Sequence, residues 1–303
     1  MNRITDITNV TDITDITIRQ AYHHGRQTLS KAGLDSPAFD ALCLLSPVFG
    51  IRSRAELTVR GGQPVSPAQR QAYETLIRRR LQEPLQYLLG QWEFDGMPLY
   101  VGKGVLVPRE DTLTLVEAAQ EALRNVPSPR ILDLCAGTGA VGLALARRIP
   151  DAAVTCVELS EDALPYLRRN IAAFGGGRAT CEVGNVLEPP RLSGCFHAIV
   201  SNPPYIPTSD IAGLQWEVRQ EPTMALDGGA DGLDFYRAIC ARWTGLLLPG
   251  GTLAFEIGYD IREGVIRVME QHGIGHIREK KDFSGISRCI FGTAVAKVPI
   301  CHL

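Results

Sequence analysis

Residues 131–146 read ILDLCAGTGAVGLALA, and this stretch decides the fold. A short apolar run over 130–135 has the length and burial of a core strand. Gly137-Thr138-Gly139 follows, a turn whose glycines let the backbone approach a ligand. The Ala/Leu segment over 140–148 is a helix, and its first turn leaves backbone N–H groups free to meet that ligand. Outward from here the same alternation continues. Strands are expected over 153–158, 179–183, 197–201 and 252–257, and helices over 113–124, 161–173, 233–247 and 260–272. Such alternation means βαβ units and an α/β, Rossmann-like, mostly parallel doubly wound sheet. A last pair near 275–281 and 287–295 has no helix between its members, which predicts an antiparallel strand at the sheet's end.

The chain upstream has another texture. Residues 1–17 carry a Thr-Asp-Ile near-repeat, a poor helix and a poor strand, read as a flexible tail. Residues 18–90 are helical, with Ser36-Pro37 and Ser66-Pro67 each supplying an N-cap followed by Pro at the first helical position. Arg78, Arg79 and Arg80 read as a solvated basic face. Residues 91–112, rich in aromatic and β-branched residues between Gly and Pro, form a β-hairpin linker. The sheet domain is then 113–303.

Composition limits the partners. Of 303 residues, 45% are apolar and 21% charged, which excludes collagenous, disordered and coiled-coil chains. The net charge of −2 argues against direct nucleic-acid binding through phosphate neutralisation. It divides unevenly, +3 over residues 1–90 against −5 over the remainder. The eight cysteines form no CxxC pair, so reduced, buried thiols and no metal site are expected. No apolar run is long enough to span a membrane and no secretory signal opens the chain, so the reading is a cytoplasmic protein.

Two motifs carry the chemistry. Gly137-Thr138-Gly139-Ala140-Val141-Gly142 fits the dinucleotide pattern GxGxxG, taken alone a weak pointer to a nicotinamide. Asp133 four residues before Gly137, and Glu158 at the next strand's tip, instead suit S-adenosylmethionine. Its cationic ammonium and sulfonium favour an acidic loop over a phosphate cradle, and Glu158 suits a ribose diol. A Gly-rich turn without a ligand remains the alternative at this point. The second motif is Asn202-Pro203-Pro204-Tyr205, at the carboxyl end of the strand HAIVS. Its prolines stiffen the turn. The Asn202 amide oxygen and the Pro203 carbonyl form paired acceptors suited to a planar –NH2, and Tyr205 offers a flat face for it.

Together these residues resemble a class I S-adenosylmethionine-dependent methyltransferase, with a mostly parallel seven-stranded sheet. More narrowly, the chain resembles the bacterial release-factor glutamine methyltransferases, the protein-(glutamine-N5) methyltransferase or HemK/PrmC family. The likeness spans about 17–296 and rests on DSPAFDALCLL, RRRLQEPLQYLLGQWEFDGMPLYV, VLVPREDT, DLCAGTGAVGLALA, SNPPYIP, EPTMALDGGADGLDFYRAI and LPGGTLAFEIGYD. It implies methylation of the side-chain amide of the glutamine in a Gly-Gly-Gln loop of peptide chain release factors. Cys135, Ala136, Gly137, Thr138 and Gly139 would wrap the cofactor's methionine, and Arg109 and Thr112 would shape that end. Glu158 would hold the ribose, Asn185 and Val186 would border the adenine, and Asn202, Pro203, Pro204 and Tyr205 would bind the target amide. The helical domain would recognise the protein substrate. The chain departs from the family pattern at Glu110, where Pro is usual, and at Asn185, where Asp is usual. Alternatives are a glutamine methyltransferase of a large-subunit ribosomal protein, a DNA adenine-amine methyltransferase and a nucleotide-binding module without activity. Retention of Asp111-Thr112 favours the release factor over the ribosomal protein. The near-neutral charge disfavours DNA, and the intact NPPY disfavours an inactive module.

Overall fold

The computed structural model describes residues 16–295. Residues 1–15, most of the expected tail, lie outside them. The chain divides into two compact units, Met1–Leu89 and Gly90–Leu303.

In the first unit Thr17, which the sequence reading leaves in the tail, starts the helix α1 (Ile18–Lys31) through a reciprocal capping box with Gln20. Short helices α2 (Pro37–Cys43), α3 (Ser46–Phe49) and α4 (Arg54–Arg60) follow. Next come α5 (Pro67–Arg80), opened by a Ser66–Gln69 capping box, and α6 (Leu85–Leu89). Ser36 stands at the N-cap of α2, but its side chain makes no capping bond. The basic face also needs correcting. Arg80 points inward, and its Nε donates to Asp40 Oδ2 at 2.7 Å with both side chains 5% exposed. The helical period, continued one turn past Ile77, carries Arg80 onto the core face, where its pairing with α2 and its donation to the Glu83 carbonyl at 3.1 Å make burial tolerable.

The second unit begins with the hairpin strands β1 (Gln91–Phe94) and β2 (Met97–Tyr100). Asp95-Gly96 joins them with both residues at positive φ, 50° and 71°, the two-residue turn whose twist suits a hairpin. A 3-10 turn (Glu110–Thr112) leads into α7 (Leu113–Ala122). The succession is then β3 (Arg130–Leu134), α8 (Ala140–Arg148), β4 (Ala153–Glu158), α9 (Leu164–Phe174), β5 (Ala179–Val183) and β6 (Phe196–Ser201). A long irregular segment precedes α10 (Asp234–Arg242), β7 (Leu247–Glu256), α11 (Arg262–Gln271), β8 (Ile274–Lys281) and β9 (Ser287–Ala294). The helix expected to run to 247 stops at Arg242, because Trp243 turns inward and its Nε1 donates to the Val186 carbonyl at 3.0 Å.

Seven strands form one sheet in the order β5-β4-β3-β6-β7-β9-β8. The first five are mutually parallel, as the alternation predicts. The antiparallel strand is β9, and it lies inside the sheet, not at its end. Its centre, Cys289-Ile290-Phe291, is almost fully buried, whereas β8 carries Arg278, Glu279, Lys280 and Lys281. The apolar strand takes the inner position and the charged one makes the edge, where charge discourages further pairing. Strand order reverses between β3 and β6, which opens a crevice beyond their carboxyl ends.

Six cysteines (Cys43, Cys135, Cys156, Cys181, Cys240 and Cys289) are free thiols. Cys195, half-exposed in the loop before β6, is disulfide-bonded, against the expectation of reduced thiols. No helix among the described residues is long and apolar enough to cross a membrane.

Candidate active site

The crevice holds a cavity of about 470 Å³, within the usual range for small-molecule sites. Its floor is built where β3 ends. Leu134 pairs with Ser201 of β6, and the Ser201 hydroxyl donates to the Leu134 carbonyl at 2.7 Å, so the Gly loop and the NPPY turn leave the sheet side by side. Cys135, Gly137 and Gly139 all have positive φ, at 59°, 55° and 82°. Three left-handed residues within five make a tight reversal, and Cys135 adopts there a conformation few non-glycines accept. A Cβ on Gly137 would meet only Val105 at 3.9 Å, so the loop leaves open space there; one on Gly139 would stand 2.7 Å from Leu167. Gly142 is needed for a different reason. A Cβ there would lie 2.7 Å from Cys156 Sγ and 2.9 Å from Asp133 Oδ2, so it lets α8 pack directly on β3 and β4.

The loop's polar groups are tied from behind. Asp133 is buried, accepts from the Gly142 N–H at 2.9 Å, and is pushed by that burial up to about 7. Glu158 reaches the cavity but is not idle. Its Oε2 accepts from Gly137 N–H at 2.7 Å, and its Oε1 from Leu159 and Ser160 N–H at 2.8 and 2.7 Å. A carboxylate has about four acceptor positions, so capacity for another donor remains. Asn185 accepts from Leu187 N–H at 3.0 Å.

On the other wall, Asn202 donates from Nδ2 to Thr112 Oγ1 at 3.3 Å, and its Oδ1 accepts no hydrogen bond among the described residues. Arg109 pairs with the buried Glu221, whose carboxylate also accepts from Val107 N–H at 3.0 Å. This clasp fastens the 105–109 loop to the EPTMALDGG segment. That segment also braces NPPY: Ile206 and Asp227 bridge in parallel, and Gly228 N–H donates to the Ile206 carbonyl at 2.9 Å. Cβ atoms on Gly228 and Gly232 would fall 2.7 Å and 2.4 Å from the Tyr205 backbone, so the segment's glycines are what permit the close approach.

Of the residues singled out from sequence, Arg109, Thr112, Cys135, Ala136, Gly137, Thr138, Glu158, Asn185, Val186, Asn202 and Pro204 line this one cavity. Gly139, Pro203 and Tyr205 are not on its wall: Gly139 turns the chain into α8, Pro203 is buried, and the Tyr205 ring packs on Gly258, where a Cβ would meet it at 2.9 Å. Burial raises the Tyr205 hydroxyl well above its ordinary range, keeping it neutral.

Sequence reasoning missed two partners. Asn170 of α9 is fully buried; its Oδ1 accepts from Tyr100 N–H at 2.7 Å, and its Nδ2 donates to the carbonyls of Tyr100 and Thr138 at 3.1 and 2.9 Å. Glu256 ends β7 beside Asn202, 3% exposed. A charge closing the apolar run LAFEI was the available signal for Glu256. Asn170, within LRRNIAAF, gave none.

Comparison with known proteins agrees with this geometry. Residues 20–90 match the family described as PrmC N-terminal domain, and residues 112–226 that described as Methyltransferase small domain. The release factor glutamine methyltransferase of Geobacter sulfurreducens is 40% identical over 279 residues, 91% of this chain and 96% of that protein. The enzyme of the same name from Deinococcus radiodurans is 43% identical over 230 residues, 76% of this chain and 81% of its own. Among solved structures, the hMettl16 catalytic domain in complex with MAT2A 3′UTR hairpin 6 superposes with a TM-score of 0.55. At 13% identity over 71% of this chain and 81% of that one, it supports the fold alone. Identity of this level across nine-tenths of the chain is shared ancestry: the protein belongs to the release factor glutamine methyltransferase family.

Proposed function

We propose that this chain transfers a methyl group from S-adenosylmethionine to the side-chain amide nitrogen of the glutamine in the Gly-Gly-Gln motif of peptide chain release factors. The observation that carries the reading is Asn202. Its Nδ2 is occupied by Thr112, while its Oδ1 is an uncommitted acceptor on the wall of the cavity that the Gly loop lines. An amide –NH2 can be held only by acceptors.

The cavity suits the methyl donor. Its walls are largely apolar, the open space beside Gly137 would be filled by any Cβ, and Glu158 retains acceptor capacity at one end. Cys135 to Thr138 would hold the methionine portion, with Arg109 and Thr112 at its end. Glu158 would hold the ribose, and Asn185 and Val186 the adenine. Asn185 keeps an acceptor for an adenine amine but lacks the family's usual charge. When bound, the cofactor supplies an electrophilic methyl group. The rest is the work of the chain. Asn202 Oδ1, on the cavity wall, accepts from the substrate amide and fixes its nitrogen, and positioning of this kind is a large part of catalysis for a weak nucleophile. The same oxygen faces the charge that develops on nitrogen. Pro203 and Pro204 stiffen the turn, and Tyr205, packed on Gly258, buttresses it. The helical unit recognises the protein substrate.

Labelled methyl transfer to a purified release factor and to a large-subunit ribosomal protein, read by mass spectrometry, tests the substrate. Label in the Gly-Gly-Gln glutamine is expected, and label in the ribosomal protein alone would move the assignment there. In the same assay Asn202→Ala should lower turnover about 10²-fold or more while cofactor binding survives at least in part. Unchanged turnover would remove Asn202 from its role.

A further inference from the structure

Glu256 has no part in the transfer as described above, yet its placement is costly. The residue is 3% exposed, and its buried Oε2 has no hydrogen-bond partner among the described residues. A buried carboxylate oxygen left without a donor destabilises the fold, and a hydrophobic side chain of similar size would pack there without that penalty. The backbone does not need the charge either, since Tyr236 donates its hydroxyl to the Glu256 main-chain carbonyl at 2.8 Å. Groups kept at such expense cluster at functional sites.

What surrounds the carboxyl tells what it does. Parallel pairing of Ser201 with Phe255 puts Glu256, the last residue of β7, level with Asn202, the first residue beyond β6. Thr112, itself buried, and Asn202 both stand against the carboxyl and favour its charged form, while burial pushes it up to about 7. A carboxylate only accepts. It therefore draws the single proton of the Thr112 hydroxyl toward itself, which leaves Oγ1 as an acceptor, and Oγ1 receives the Asn202 Nδ2–H at 3.3 Å. Donation then runs one way, from Asn202 to Thr112 to Glu256. The reverse setting of the Asn202 amide would face its oxygen to the carboxylate and turn an NH2 toward the substrate, donor against donor.

We propose that Glu256 is a positioning residue, acting through Thr112 and directly on the Asn202 amide to keep the Asn202 carbonyl oxygen turned into the cavity. The proposal rests on the amide-methylation reading. Other groups facing the carboxyl are Asp111 from the 3-10 turn, Arg288 and Cys289 from β9, Tyr205 after β6 and Tyr236 from α10. Burial holds Cys289 and both tyrosines neutral near pH 7, and Arg288 stays charged.

The test measures kcat on a Gly-Gly-Gln peptide at saturating methyl donor across pH 5.5–8.5, with cofactor Kd by calorimetry and Tm by melting. Unaltered enzyme, Glu256→Gln, Glu256→Asp and Thr112→Val are compared. Glu256→Gln brings an NH2 to the site and should cost about 10²-fold in kcat with cofactor Kd unchanged. The unaltered enzyme should lose kcat below about pH 7 as the carboxyl takes a proton, and the Gln variant should lack that limb. Glu256→Asp, which keeps the acceptor, should regain about tenfold over Gln. Thr112→Val should reproduce the loss in kcat, so the proposal stays testable even if Glu256→Gln fails to fold. Unaltered kcat in either Glu256→Gln or Thr112→Val overturns the inference alone, as does an acidic limb that persists in the Gln variant. If the unaltered enzyme transfers no methyl to any amide, the methylation reading fails and this inference with it.

Discussion

Asp133 shows how one carboxyl can hold a loop and leave a record in the protein's stability. It sits in the middle of the sheet, accepts the Gly142 N–H, and keeps its proton up to about pH 7 because burial disfavours the charge. The sign follows from linkage. Between the ordinary carboxylate value near 4 and the folded value near 7, the native chain holds a proton that the unfolded chain has released. Stability contributed by this residue is therefore greatest at acid pH and is lost as pH rises through that window, with little change above it. Asp133→Asn keeps the oxygen for Gly142 and removes the titration. Urea unfolding at pH 5, 6, 7 and 8 should show the variant gaining on the parent by about 2 kcal/mol between pH 5 and 7 and then levelling off. A constant difference across the series would mean that Asp133 is ionised in the folded protein. The carboxylates of Asp227, Asp231, Glu279 and Asp282 are held below their ordinary values by their hydrogen-bond partners and act in the opposite sense. They are common to both proteins and cancel in the difference.

At the scale of elements, two buried polar side chains do the joining. Asn170 fastens α9 to the hairpin strand β2 and to the Gly loop at once, through Tyr100 and Thr138. Asn170→Ala leaves three backbone groups without their partner, each worth about 1–3 kcal/mol when buried and unsatisfied. A loss of several kcal/mol in unfolding free energy is expected, with weaker cofactor binding by calorimetry because Thr138 is released; unchanged affinity would show that the loop holds itself. Arg80–Asp40 plays the corresponding part in the helical unit, between α5 and α2. Removing either partner should destabilise that unit by about 3–5 kcal/mol in chemical denaturation, and replacing both by apolar residues of similar size should cost far less. These elements also mark what the sequence could tell. The βαβ alternation, the Gly loop and NPPY were legible because each is local: period, glycine and proline act within a few residues. That Asn170 meets Tyr100 seventy positions away, that Arg80 meets Asp40, or that β9 enters between β7 and β8 depends on packing between distant segments. A one-dimensional pattern carries no such information: Arg80 looks like its neighbours Arg78 and Arg79 until a partner is seen. The cavity followed because the residues ending β3, β4 and β6 must meet at one edge of a parallel sheet, whereas the packing of Tyr205 on Gly258 joins distant segments and left no mark in the sequence.

For the whole molecule, the charge split of +3 over residues 1–90 against −5 over the remainder coincides closely with the division into Met1–Leu89 and Gly90–Leu303. All residues lining the cavity, from Gly104 to Phe235, belong to the second unit, and so does every partner named for them. The groups proposed to hold the cofactor and the amide therefore all belong to Gly90–Leu303 and none to the N-terminal helical unit. A short peptide carrying Gly-Gly-Gln engages only the cavity, whereas an intact release factor offers further surface. A chain of residues 90–303, shown by melting to be folded, should bind the methyl donor within about twofold of the full protein and methylate the short peptide at a comparable rate. On the intact factor its kcat/KM should fall about 10²-fold, equivalent to some 2.7 kcal/mol of lost transition-state stabilisation. Because like-sized losses on both substrates would point to damage in the second unit, the ratio between them is the quantity to measure. If the shortened chain keeps its full kcat/KM on the intact factor, the helical unit is not the element that grasps the substrate, and the recognition surface must be sought on the second unit instead.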